Sequence, residues 1–358
     1  MSSYFLITGC VRSGTTLLEK LLCNHQSLSV LSQPFPILYI ETKKRFLENL
    51  NINEYFSLSN LANERRYTVD GFTQFLQSTN FSFNQIKSCL NCGYSGELTP
   101  AILLDDQNVV GSYSHFYKSL TKNNAHKRNA ILFGAKEVLV EEYIPYYLQE
   151  NIKVIHIVRD PKDMLASITG GKGAEYIGNV KPTLFNIRNW RKSAQVGMLF
   201  KDCPNFLLVK YEDLVNDYKK ELSRICKFLS VENFSEGTFE QGILNQDDTL
   251  WNSNSSYVKS SLISNKSVGR GVKVLDKKTL KLLEAVCFSE MNALKYYVDV
   301  NNLNEQNITG FEEKQRVTDT NIAVDYSTSK GNIEYEVSRF NEILFKDNYT
   351  FEFSYTGR

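Results

Sequence analysis

The chain has 358 residues, enough for a single large core or for one α/β domain carrying an appendage. Its 41 lysines and arginines nearly balance 40 acidic residues, and a net charge of +1 excludes a global field that would recruit nucleic acid or an anionic membrane. No apolar run approaches the length that spans a bilayer, and the first strand-like run starts at Tyr4 with no room for a signal segment, so a cytoplasmic protein is expected. Seven scattered cysteines fit free thiols, and Cys89-Leu90-Asn91-Cys92 has no second pair at zinc-ribbon spacing.

Taken in chain order, Tyr4-Phe5-Leu6-Ile7 reads as a strand and Leu17 to Leu22 as a helix. Gly9-Cys10-Val11-Arg12-Ser13-Gly14-Thr15-Thr16 joins them. A strand, a glycine turn and a helix amino terminus aim backbone N–H groups and a positive dipole end at one anion, which suits a nucleotide phosphate. The triphosphatase version of this loop needs a lysine before its last hydroxyl residue; Thr15 stands there instead, which points away from ATP hydrolysis. The prolines in Leu31-Ser32-Gln33-Pro34-Phe35-Pro36 impose an extended passage. Residues 41–130, rich in Phe, Tyr and Asn, read as a helical insertion that buries apolar surface and serves as a lid over an acceptor pocket.

From residue 131 strands and helices alternate: strand 131–135, helix 143–149, strand 152–158, helix 183–201, strand 206–211, helix 214–229 and a closing helix 275–297. This rhythm predicts a P-loop-type parallel α/β sheet flanked by helices, with right-handed crossovers. The strand 152–158 ends in Arg159-Asp160-Pro161, where Pro161 opens a helix carrying Ser167. Arg159 and Ser167 then form a second anion site at the carboxyl edge of the sheet. Residues 301–358 change style, with 322–326, 333–337 and 349–353 reading as short strands of a small β extension.

These motifs together resemble the sulfotransferases that use 3′-phosphoadenosine-5′-phosphosulfate (PAPS), in the branch of tyrosylprotein and bacterial enzymes. The resemblance covers most of residues 4–298. It implies that Arg12, Ser13, Gly14, Thr15 and Thr16 grip the 5′-phosphosulfate and that Arg159 and Ser167 hold the 3′-phosphate. Val209-Lys210-Tyr211-Glu212-Asp213-Leu214 is similar to the family's strand-end tyrosine motif, and Ser267-Val268-Gly269-Arg270 to its late glycine-arginine loop. Tyr211, Ser267, Gly269 and Arg270 are therefore expected at the nucleotide. The implied cofactor is PAPS, released as 3′-phosphoadenosine-5′-phosphate (PAP), with no metal required.

Sulfuryl transfer needs in-line attack by an acceptor oxygen, relief of charge on the departing nucleotide, and loss of the acceptor proton. Arg12 and Thr15 suit the leaving group, and Lys136, at the end of Phe133-Gly134-Ala135-Lys136-Glu137, is read as the stabilising cation, as in related enzymes. Ser255 resembles a late serine that some relatives bring there. Where relatives commonly place a glutamate this chain has Gln33, which cannot take a proton, leaving Glu41, Glu137 and His115 as base candidates and Gln33 to orient the acceptor. His156 reads as a satisfied core histidine and His25 as a helix-end cap. The acceptor is a hydroxyl on a phenol, sugar, metabolite or peptide tyrosine, and the sequence leaves the oligomeric state open. Two rivals stand beside this reading: a kinase or triphosphatase, with Ala101 to Asp106 as a magnesium-holding strand, and an inactive nucleotide binder on the same fold.

Overall fold

A computed structural model of the chain describes residues 3–51, 67–90, 110–125, 129–169, 183–245, 248–251, 253–254, 257–258, 263–312 and 330–346. The first third runs β1 (Tyr4–Thr8), α1 (Thr15–Cys23), β2 (Leu28–Ser32) and α2 (Pro36–Asn49), then α3 (Val69–Ser78), β3 (Asn80–Ser82), α4 (Phe83–Leu90), β4 (Val110–Ser112) and α5 (Tyr113–Asn123). The middle runs β5 (Leu132–Lys136), α6 (Ile144–Gln149), β6 (Lys153–Val158), α7 (Pro161–Thr169), α8 (Thr183–Phe200), β7 (Phe206–Lys210), α9 (Tyr211–Asn216) and α10 (Tyr218–Leu229). The remainder comprises β8 (Ser253–Asn254), β9 (Tyr257–Val258), α11 (Gly271–Val274), α12 (Lys277–Ala293), α13 (Gln306–Thr309) and α14 (Lys330–Lys346).

Five strands form one sheet in the order β2-β5-β1-β6-β7. Every neighbouring pair is parallel. Period-two alternation sends β1 side chains to two cores: Phe5 and Ile7 face α1 and α10, whereas Leu6 joins the aromatic mass of the insertion. Phe72 and Tyr113 of the insertion interlock with Tyr39, Tyr143 and Tyr147 on either side of it in sequence, with Tyr39 and Tyr143 edge to face at 4.7 Å. A third cluster joins α7, α8 and α12 to the carboxyl-terminal helix through Met164, Trp190, Val286, Phe340 and Ile343.

The parallel sheet and its flanking helices match the expectation from sequence; the described part of 41–130 holds helices together with the antiparallel pair β3–β4. The helix expected over 214–229 is split in two at Asp217, whose side chain caps α10 through Lys220 N–H. One expectation is overturned: residues 333–337 are not a strand but the first half of α14. Over five residues Ile333-Glu334-Tyr335-Glu336-Val337 alternates like a strand, yet over the longer window Glu336, Phe340 and Ile343 recur at helical spacing and are the positions that pack inward. The strands expected at 322–326 and 349–353, the run 101–106 and Ser255 lie outside the described residues.

Candidate active site

The loop after β1 is shaped by two closely packed glycines. A Cβ on Gly9 would stand 2.3 Å from the Ile157 carbonyl oxygen, and Gly14, at φ +103°, would push one to 2.4 Å from the Tyr211 ring. Ser13 Oγ donates to the Cys10 carbonyl at 2.6 Å, so this hydroxyl braces the turn from inside. Arg12 takes a left-handed φ of 63° between them. Gly14 occupies the N-cap of α1 without any side-chain cap, leaving the positive helix end to an outside anion. Thr15 is buried under the loop, and Thr16 is half-buried beside it.

The second motif closes on the first. Arg12 Nε donates to Ser167 Oγ at 3.0 Å. Arg159 Nη1 donates to the Arg12 carbonyl at 3.3 Å and Nη2 to the Ser267 carbonyl at 3.0 Å, with its guanidinium 4.3 Å from the Tyr211 ring centre. Tyr211 and Ser267 share a hydroxyl hydrogen bond of 2.8 Å. The late loop is pinned by Asp163, whose carboxylate accepts from Gly269 N at 2.8 Å and Gly271 N at 2.6 Å. Arg270, at the start of α11, is exposed. Trp190 Nε1 reaches the Arg159 carbonyl at 2.7 Å and fixes the start of α7 against α8.

Arg159 is 6% exposed, its Nε is buried without a partner, and among the described residues no carboxylate pairs with it. A buried cation satisfied only by carbonyls carries uncompensated charge. That uncompensated charge, tied to the first loop through the Arg12 carbonyl near the uncapped end of α1, is compatible with a nucleotide phosphate, so the residues present fit such a group.

Lys136 ends β5 next to this cradle. It is 2% exposed, donates to Gln33 Oε1 at 2.8 Å and lies 3.3 Å from Glu19 Oε2. Gln33 adopts a left-handed φ of 46°, and its own N–H bonds the Lys136 carbonyl at 2.8 Å, so the two residues are tied twice. The base candidates fare differently. Glu137 is buried; its Oε1 accepts from Phe35 N at 2.8 Å at the start of α2, and burial pushes its carboxyl up to about 8 despite that bond and the nearby Lys136. Glu41 is exposed on α2 and His115 is exposed on α5, the latter edge to face with Phe116; among the described residues no contact joins either to Lys136 or to the loop. His156 is a core histidine, with Nε2 at 2.9 Å from the Ser193 carbonyl, and His25 braces the end of α1 by accepting from Ser27 N at 3.1 Å.

Three residues of this arrangement have no motif of their own: Glu19, Asp163 and Trp190. Glu19 stands one helical turn after Thr15, and that spacing on the loop helix is its only signal in the sequence.

A parallel α/β sheet whose carboxyl edge carries a glycine loop at a helix amino terminus, an interlocked arginine–serine pair and a buried lysine is a P-loop-type fold. A family model described as "Sulfotransferase family" matches residues 5–236, and the chain belongs to that family of enzymes, which move a sulfuryl group to an acceptor. Solved structures with a similar fold include the sulfotransferase domain from the Synechococcus PCC 7002 olefin synthase, at 17% identity and a TM-score of 0.47 over 83% of this chain and 96% of that one. Others are the sulfotransferase domain from the curacin biosynthetic pathway (19%, 0.44, 84% and 99%) and mouse sulfotransferase SULT7A1 complexed with PAP (12%, 0.38, 81% and 84%). No curated protein matches the sequence. Among the described residues no helix is long and apolar enough to cross a membrane.

Proposed function

We propose that this sulfotransferase takes its sulfuryl group from PAPS and delivers it to a hydroxyl acceptor in the cytoplasm. The observation that carries this reading is Arg159, a buried guanidinium with an unpartnered Nε inside a cradle built by the first loop, Ser167, Tyr211 and the 267–271 segment. PAPS supplies the activated sulfur of a phosphosulfate anhydride. The first loop holds one phosphate end through backbone N–H groups, with Arg12 oriented by Ser167. Arg159 and Ser167, closed over by Ser267, Gly269 and Arg270, hold the other phosphate. Lys136 donates to Gln33, pairs with the Glu19 carboxylate at 3.3 Å, and brings its positive charge to the negative charge growing on the leaving oxygen. Gln33 orients the acceptor, and a phenol suits a site without a dedicated carboxylate at that position because its oxygen ionises more readily than that of an alcohol. The reading assigns no step to a metal, since arginine, lysine and amides supply the positive charge. The near-neutral chain argues for a small neutral or phenolic acceptor over a polyanion.

The test is transfer of labelled sulfate from PAPS to a panel of phenols, sugars and tyrosine peptides, with a chelator present, beside ATP with magnesium. Chelator-resistant labelling of a hydroxyl acceptor is expected. Consumption of ATP only with magnesium would turn the reading to a kinase, and PAP binding without turnover on any acceptor would turn it to an inactive binder.

A further inference from the structure

We propose that Glu19 is the positioning residue of the transfer step: it is the counterion that fixes Lys136 in its working orientation and ties it to the helix of the phosphate loop. This inference rests on the sulfotransferase reading and deepens it. Lys136 is almost fully buried, and a buried ammonium needs a partner charge to stay in place. Gln33, its nearest contact, is neutral. Glu137, the adjacent acid, is engaged at the start of α2 and holds its proton to about 8. Among the described residues Glu19 is the one carboxylate within 4.0 Å of Lys136 Nζ.

The carboxylate is held by one hydrogen bond and two ion pairs, and its Oε1 is buried without a hydrogen-bond partner. It is 0% exposed, Oε2 accepts from Ser32 Oγ at 2.9 Å while facing Lys136 at 3.3 Å, and Oε1 lies 3.5 Å from Lys20 Nζ. Glu19 belongs to α1, Ser32 to β2 and Lys136 to β5, so one carboxylate locks together the three elements whose ends frame the site. Glu19 also lies on the same helical stripe as Thr15, one turn along. Movement of the loop helix therefore moves the lysine with it. Because Glu19 lies behind Lys136 with no exposed surface, it acts through the lysine and touches neither nucleotide nor acceptor.

Steady-state kinetics of Glu19→Gln test this, with PAP affinity measured alongside. The expected result is a fall in kcat of about 100-fold, the scale of an ångström-level misplacement of a catalytic group, with the KM for PAPS and the Kd for PAP within about threefold of the unmodified enzyme. Glu19→Asp should recover part of kcat. In a Lys136→Met background Glu19→Gln should cost nothing further, since a residue that works only through the lysine has nothing left to position. Ser32→Ala, which removes only the hydroxyl that steadies Glu19, provides a variant that keeps every charge, and should lower kcat several-fold at unchanged PAP affinity. Wild-type kcat in Glu19→Gln, additive losses in the double variant, or equal losses in kcat and PAP affinity would overturn the proposal while leaving the sulfotransferase reading intact. Failure of the unmodified protein to transfer sulfate would overturn both.

Discussion

Arg159 and Arg191 are two buried arginines at opposite ends of the same structural problem. Arg191, 0% exposed on α8, gives Nη1 and Nη2 to the two oxygens of Glu336 on α14 at 2.6 and 3.2 Å, and Arg188 adds its Nε at 2.6 Å. Burial alone would raise the Glu336 carboxyl, but Arg191 and Arg188 outweigh it and hold the group down at about 2. Arg159 meets only carbonyls and an aromatic face. On the proposed function, the difference separates a structural cation from one that binds the nucleotide. At the α8–α14 joint a carboxylate closes the charge; at Arg159 two carbonyls and an aromatic face hold the guanidinium in place and leave its charge without a counterion.

The comparison can be broken from either side. The largest expected effect is at the joint: Glu336→Gln strips the carboxylate from two buried guanidiniums and should destabilise the fold by about 3–5 kcal/mol, seen as a lower melting temperature, with PAP affinity of the folded protein unchanged. A loss of PAP affinity would show that α14 belongs to the nucleotide site after all.

His156, on β6, packs against α8 through the Ser193 carbonyl. Burial lowers its imidazole from the usual 6.5 to about 4, although its bond to the Ser193 carbonyl works the other way. The unfolded chain therefore binds a proton that the folded one refuses, so stability present above pH 6.5 is lost as pH falls towards 4, by about 3 kcal/mol in all. Denaturant titration of His156→Gln should lose that part of the acid slope.

Smaller effects sharpen the description of the cradle. Gly14→Ala forces a side chain into a φ of 103° against Tyr211 and should cost about 1–3 kcal/mol of stability and weaken PAP binding. Unchanged binding would mean that the loop does not approach the nucleotide. Asp163→Asn keeps one acceptor for the two amides of the 267–271 loop and should weaken PAP about tenfold, near 1.4 kcal/mol, by calorimetry.

What the sequence made legible follows from how local each signal is. The loop at 9–16 and the Arg159 to Ser167 spacing are contiguous patterns whose neighbours in sequence fix their geometry, and the structure brings Arg12, Ser167, Arg159, Tyr211 and Ser267 into one network. Glu19 and Asp163 were not legible because a helix residue's role depends on which strand or loop faces it, and Lys136 lies 117 positions from Glu19. The carboxyl-terminal helix was misread because five alternating residues fit a strand and a helix equally; the buried Glu336 and Arg339, which decide the matter, acquire meaning only against Arg191 and Glu290 on other helices.

On the proposed function Arg159 holds a nucleotide phosphate. Calorimetric titration of PAP into the unmodified protein and into Arg159→Ala tests it most directly. Magnesium-independent binding is expected, weakened about 30- to 1000-fold in the variant, the scale of one or two charge-assisted phosphate contacts, with a small change in melting temperature. Equal affinity in the two proteins would contradict it.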